Sequence, residues 1–195
     1  MTTQEYGEGT ALVVVDVQVD FASPDGGLYV PGGEEVVPVV NDEVRAARAA
    51  GSPVVYTQDW HPPHTPHFAQ DGGVWPVHCV QDTWGAELHP DLAVEGPIVR
   101  KGANGEDGYS GFTMRDPVSG ETIPTELAAL LSERGVERVV VAGLATDYCV
   151  RATALDAAAL GLETTVLADA IAAVNLKPGD GERALDEMAA AGVRI

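Results

Sequence analysis

Residues 138–170 read "RVVVAGLATDYCVRATALDAAALGLETTVLADA". The β-branched run 138–143 reads as a strand, the alanine-rich 148–161 as a helix and 163–170 as another strand. The same alternation extends outward from it. To the N-terminal side lie strands at 11–18, 53–59 and 97–102, with helices at 34–51 and 125–135. In the first helix Val36, Val39, Val40, Val44 and Ala47 share a face, and Gly51 sits where a left-handed cap ends it. To the C-terminal side 181–192 reads as a last helix and Val193–Ile195 as a closing strand. Strand and helix in alternation argue for an α/β protein: an open parallel sheet with helices on both faces. With no repeat, linker or low-complexity tract, 195 residues make one domain, residues 1–195.

Ligands of such sheets bind beyond the carboxyl ends of the strands. Asp16 ends the first strand, Asp59 the second and Lys101 the third, while Cys149 follows the fourth after a short turn. All four therefore converge on one edge. Thr146 and Asp147 are good N-cap residues, which puts Cys149 in the first helical turn. There, free N–H groups and the positive helix end favour a thiolate and an oxyanion. Taken singly, a helical cysteine is a small buried hydrophobe, a strand-end aspartate a turn residue and a lysine beside Arg100 a solvated charge. Together, thiol, carboxylate and ammonium compose an activated nucleophile. Cys79 lacks a glycine turn or helix start and reads as structural.

The segment "QDWHPPHTPHF", 58–68, holds three of the chain's five histidines. Asp59 and His61, two apart at a strand end, can face the same side. His64 and His67 follow in a proline-stiffened loop, and His78 comes later in "GGVWPVHCV". Imidazoles with a carboxylate suit Zn, Fe or Mn. The loop by itself leaves open which of these side chains are ligands, and a solvated surface loop is the plainer alternative.

Thirty acidic against eleven basic residues give a formal charge of −19, which repels phosphate backbones and argues against nucleic acid as a partner. No apolar run approaches the roughly 20 residues of a membrane helix. The polar, acidic start Met1–Gly9 does not resemble a signal peptide, so a cytoplasmic protein without a membrane partner is expected. Two cysteines 70 positions apart make neither a disulfide framework nor a zinc knuckle.

With Asp16, Lys101 and Cys149 in chain order and "DWHPPHTPHF" between the first two, the sequence resembles the nicotinamidases, among the isochorismatase-like cysteine hydrolases. The likeness continues through "VVVDVQVDF", "WPVHCVQDTWGAELHP", "KG…YSGF" and "GLATDYCV". It implies a six-stranded parallel sheet and hydrolysis of nicotinamide to nicotinate and ammonia through a cysteine thioester, a step of NAD salvage. Pyrazinamide is a further substrate it suggests. Asp16 is then the general base, Lys101 the partner of the thiolate and transition state, and Cys149 the nucleophile. The resemblance makes Asp59, His61 and His67 ligands of one divalent metal, zinc first, with His78 a fourth ligand found in some members and His64 set aside. It also implies a cis Leu144–Ala145 peptide, an oxyanion hole from the Ala145 and Cys149 amides, and a ring pocket walled by Phe21, Trp75 and Tyr109. The glycine-rich, acidic "KGANGEDGYSGF" and Tyr148, a position often histidine in relatives, depart from the pattern. Competing readings are a cysteine hydrolase of another small amide and a hydrolase using metal-activated water. The oligomeric state stays open, a homo-oligomer being one option.

Overall fold

The apolar run after Gly9 forms β1 (Thr10–Val15), with every residue buried. Its side chains alternate between two cores. Leu12 and Val14 pack on one face of the sheet, and Ala11, Val13 and Val15 on the other. A strand buried on both faces reads as unbroken hydrophobicity, which is why no polar residue interrupts it. The computed structural model describes residues 6–195. The first five residues of the polar start read from the sequence lie outside the described residues.

The other parallel strands are β2 (Val54–Asp59), β3 (Ile98–Lys101), β6 (Arg138–Leu144) and β7 (Glu163–Ala172), in the order β3-β2-β1-β6-β7. Between them come α1 (Val19–Ala22), α2 (Gly33–Ala49) and a small antiparallel hairpin of β4 (Thr113–Arg115) and β5 (Thr122–Pro124). They are followed by α3 (Leu127–Ser132), α4 (Arg151–Ala159) and α5 (Asp180–Ala190). α2 buries Val36, Val37, Val40, Val44 and Ala47 against one face of the sheet, while α3, α4 and α5 cover the other. Val39, placed on the buried face by the sequence reading, is half-buried and packs against the same core, which Val37 joins as well. Among the described residues no helix is long and apolar enough to cross a membrane.

The sheet has five strands and not six. Val193–Ile195 makes a single bridge, in which Arg194 donates to Thr164 and accepts from Val166. One residue pair in register falls short of a strand, and Val193 instead turns into the core. The β4–β5 hairpin lies in a polar stretch, "TMRDPVSGETIP", which offers no alternating pattern to read.

Strands β1, β2 and β3 run outward to one side and β6 and β7 to the other, so the order reverses between β1 and β6. That reversal opens a crevice at the carboxyl ends of these two strands. Gly143 permits the close approach there: its φ is 118°, and a Cβ would run into the Val15 carbonyl oxygen. The β6–β7 register shifts at the same point.

Candidate active site

Asp16 leaves β1 in the left-handed region, with φ 48°. For a non-glycine residue this costs on the order of 1 kcal/mol, a cost that recurs at functional positions. Its backbone N–H donates to Thr57 Oγ1 at 3.2 Å, and the Thr57 hydroxyl donates to Asp16 Oδ1 at 2.6 Å. Thr57 precedes Asp59 by two on β2 and so shares its side of the strand. Gln18 fixes Asp59 through the backbone. Its Nε2 donates to the Asp59 carbonyl and its Oε1 accepts the Asp59 N–H, both at 2.8 Å.

Lys101 ends β3 and is wholly buried, at 0% exposure. Its ammonium donates to Asp16 Oδ2 at 2.7 Å, to Asp59 Oδ1 and to the Gly108 carbonyl, and it lies 3.8 Å from Cys149 Sγ. Ligand atoms of Asp16, Asp59 and Cys149 all fall within 4.8 Å of one another. Burial alone would strip the proton from Lys101, but Asp16, Asp59 and Cys149 outweigh it and hold its pKa well above the ordinary lysine value. Burial pushes Asp59 up too, yet the Lys101 charge and the neighbouring histidines hold it far below the carboxylate range. At Asp16 burial prevails over Lys101, and its pKa is raised. Burial also carries the Cys149 thiol well above its ordinary value, against the pull of Lys101. The resting cysteine is thus a thiol beside a carboxylate that can take its proton.

Cys149 lies in a widened π-type turn, Thr146–Val150, in which the Val150 N–H donates to the Ala145 carbonyl at 3.1 Å. Such turns concentrate at functional sites. The Leu144–Ala145 peptide is cis. The N-cap expected of Thr146 or Asp147 does not form, since neither side chain caps the turn. Asp147 instead accepts the Val174 and Asn175 N–H groups at 2.9 and 2.8 Å, which fastens the loop after β7 to the rim of the crevice.

His61, His67 and His78 come together, with one nitrogen of each within 4.8 Å of the others, and all three are buried. Asp59 Oδ2 is 3.8 Å from His61 Nε2. His78 Nδ1 bonds the Pro76 carbonyl at 2.7 Å and His67 Nδ1 the Asp107 carboxylate at 2.7 Å, whereas both His61 nitrogens are buried with no hydrogen-bond partner among the described residues. Burial lowers the pKa of His67 and takes that of His78 down to about 4, so both are neutral at pH 7. Three imidazoles converging beside a carboxylate, one of them with nitrogens that find no hydrogen-bond partner among the described residues, fit a divalent metal. His64 is elsewhere: its side chain is 80% exposed and pairs with Asp71 at 3.2 Å.

A cleft of about 420 Å³, counted to its open mouth, adjoins both groups. Phe21, Trp75 and Tyr109 line it, together with Ala145, Cys149, Asp59, His67 and His78. Trp75 Nε1 donates to the Tyr109 hydroxyl at 2.8 Å, and Tyr148 meets Trp75 edge-on at 4.8 Å between ring centres. Sequence reasoning missed Leu28, Val30 and Val174 as lining residues, Thr57 beneath Asp16, and Asp107 behind His67. Strand alternation offered a signal for Thr57; the others had none. Cys79 is buried and lines no part of the cleft.

The isochorismatase domain pattern matches residues 10–195. A nicotinamidase of Escherichia coli (strain K12) is 37% identical over 203 residues, covering 95% of this chain and 93% of the relative. Among solved structures, the pyrazinamidase of Pyrococcus horikoshii in complex with zinc superposes with a TM-score of 0.85 at 45% identity, covering 96% of this chain and 98% of that one. PnC1 from L. infantum, in complex with nicotinate, superposes at 0.87 with 36% identity, covering 97% and 94%. On pattern, identity and superposition together, the chain belongs to the isochorismatase domain family.

Proposed function

We propose that this chain hydrolyses nicotinamide to nicotinate and ammonia, with Cys149 as nucleophile. It is an amidohydrolase of its family, and the observation that carries the finer reading is the buried cluster in which Lys101 joins Asp16 and Asp59 beside Cys149. Asp16 takes the thiol proton as sulfur attacks the carboxamide carbon. Lys101 balances the charge that passes between sulfur and carboxylate. The oxyanion falls to the amides of Ala145 and Cys149, both at the cleft. Asp16 returns the proton to the leaving nitrogen, and ammonia departs. Asp16 then takes a proton from water as it adds to the thioester, which releases nicotinate and restores the thiol.

Asp59, His61, His67 and His78 would hold a divalent metal, zinc in the first instance, which would supply Lewis acidity at the ring-binding end of the cleft. Phe21, Trp75, Tyr109 and Tyr148 flank the ring and exclude water. The cleft, with Phe21, Trp75, Tyr109 and Tyr148 in its lining, also suits pyrazinamide, whose relation to the chain is supported by the pyrazinamidase neighbour. We place the reaction in cytoplasmic NAD salvage.

Cys149→Ala tests the assignment. The variant is expected to keep its metal and lose ammonia release from nicotinamide by at least about a thousandfold, while the parent yields a cysteine-linked acyl adduct by mass spectrometry. Substantial turnover by the variant would assign the attack to another nucleophile.

A further inference from the structure

The acidic, glycine-rich segment after Lys101 is stitched to the histidine loop at two points. The Thr65 hydroxyl donates to the Gly105 carbonyl at 3.0 Å, and two residues further along each segment His67 Nδ1 meets Asp107 Oδ1 at 2.7 Å. The same Thr65 oxygen accepts the His67 N–H at 3.2 Å. Asp107 is itself held by the backbone, exchanging both main-chain hydrogen bonds with Arg115 at 2.8 and 2.9 Å. The segment also reaches Lys101, which donates to the Gly108 carbonyl.

We propose that Asp107 is a positioning residue for His67 that fixes its tautomer and ring orientation for metal and contributes a negative charge behind it. The carboxylate oxygen accepts this hydrogen bond, so Nδ1 carries the hydrogen and Nε2 is left as the lone pair that His67 offers. The three clustered histidines differ in this respect. Among the described residues His78 is oriented by a neutral carbonyl and His61 by no hydrogen bond, so of the three His67 is the one hydrogen-bonded to a carboxylate. With Asp59 at the site and Asp107 behind it, two carboxylates face a dication. Carboxylate–histidine–metal relays raise ligand basicity, and their loss weakens metal binding by roughly 10–100-fold.

The inference rests on the metal-site reading, and zinc affinity measured by competition with a chromophoric chelator separates the two. In Asp107→Ala, affinity is expected to fall about 10–100-fold. Asp107→Asn, whose amide oxygen still accepts the Nδ1 hydrogen, should fall between that and the parent. The metal-free melting temperature of Asp107→Asn should match the parent's. Parent-like zinc affinity in both variants, with only the melting temperature lowered, would reduce Asp107 to a loop fastener and overturn the proposal alone. A parent chain that takes up no zinc would overturn the metal site and the proposal with it.

Discussion

Lys101→Met leaves two buried carboxylates without their shared cation. Ligand atoms of Asp16 and Asp59 lie within 4.8 Å of each other; at an effective dielectric constant of about 20, two ionised groups at that separation repel by about 3 kcal/mol. The alternative is to protonate one of them. From an ordinary carboxylate pKa near 4, that costs about 5 kcal/mol at pH 7.5, at about 1.4 kcal/mol per unit. The folded variant takes the cheaper route, so the loss should be about 3–5 kcal/mol, the size seen when one partner of a buried ion pair is removed. The sign of its pH dependence follows. In the variant the folded pKa of a carboxylate lies above its unfolded value, so the folded state takes up a proton first as pH falls. The variant therefore gains on the parent in acid, by about 1–3 kcal/mol between pH 7.5 and 5.5. Urea unfolding with a chelator present in both proteins measures the gap, expected as a midpoint lowered by about 1–2 M at pH 7.5. Adding Asp16→Asn to Lys101→Met should restore part of the stability. A loss below about 1 kcal/mol, or a gap that does not narrow in acid, would refute the view of Lys101 as the cation that permits both carboxylates to stay buried and charged.

The acid limb of kcat/KM should lie above 3.8, the ordinary value for Asp16, because burial raises its pKa. Activity is then complete at higher pH and falls as protonation removes the base. Thr57→Val removes a hydrogen bond that lowers this pKa, so the limb should move to higher pH; zinc content assayed at each pH keeps metal loss apart from proton uptake. Full activity at pH 4 would exclude Asp16 as the base. His64→Ala should retain stoichiometric metal and parent-like turnover, because its ring is exposed and paired with Asp71. His61→Ala should lose the metal by elemental analysis, and equal losses in the two variants would show that the wrong histidines had been chosen.

Much of the fold was legible because its signals are local. β1 is an unbroken apolar run buried on both faces, and the end of α2 follows from Gly51, at φ 76°. Asp16, Asp59 and Lys101 could be placed at one edge because parallel strands present their carboxyl ends together. The departures have equally local causes. The closing strand reduces to one bridge by Arg194, and the β4–β5 hairpin has strands of three residues, too short to carry a periodic signal, whose order comes from pairing. Asp147 is chemically suited to cap a helix, and only the proximity of the loop at Val174 gives it other N–H groups to bind.

By itself, the sequence determined the alternation of strand and helix, the sheet edge that carries the reactive groups, and the types of those groups: thiol, carboxylates, ammonium and imidazoles. Tertiary structure decided which of them meet. His64 and His67 are the same side chain three positions apart in one loop, yet one is solvated against Asp71 and the other is buried against Asp107, 40 residues away. Thr57 under Asp16 and Asp107 behind His67 are likewise contacts between distant segments. Periodicity reports only which face of an element is buried. Hydrogen-bond partners and pKa values depend on what the fold brings to that face, and on how far it excludes water from it.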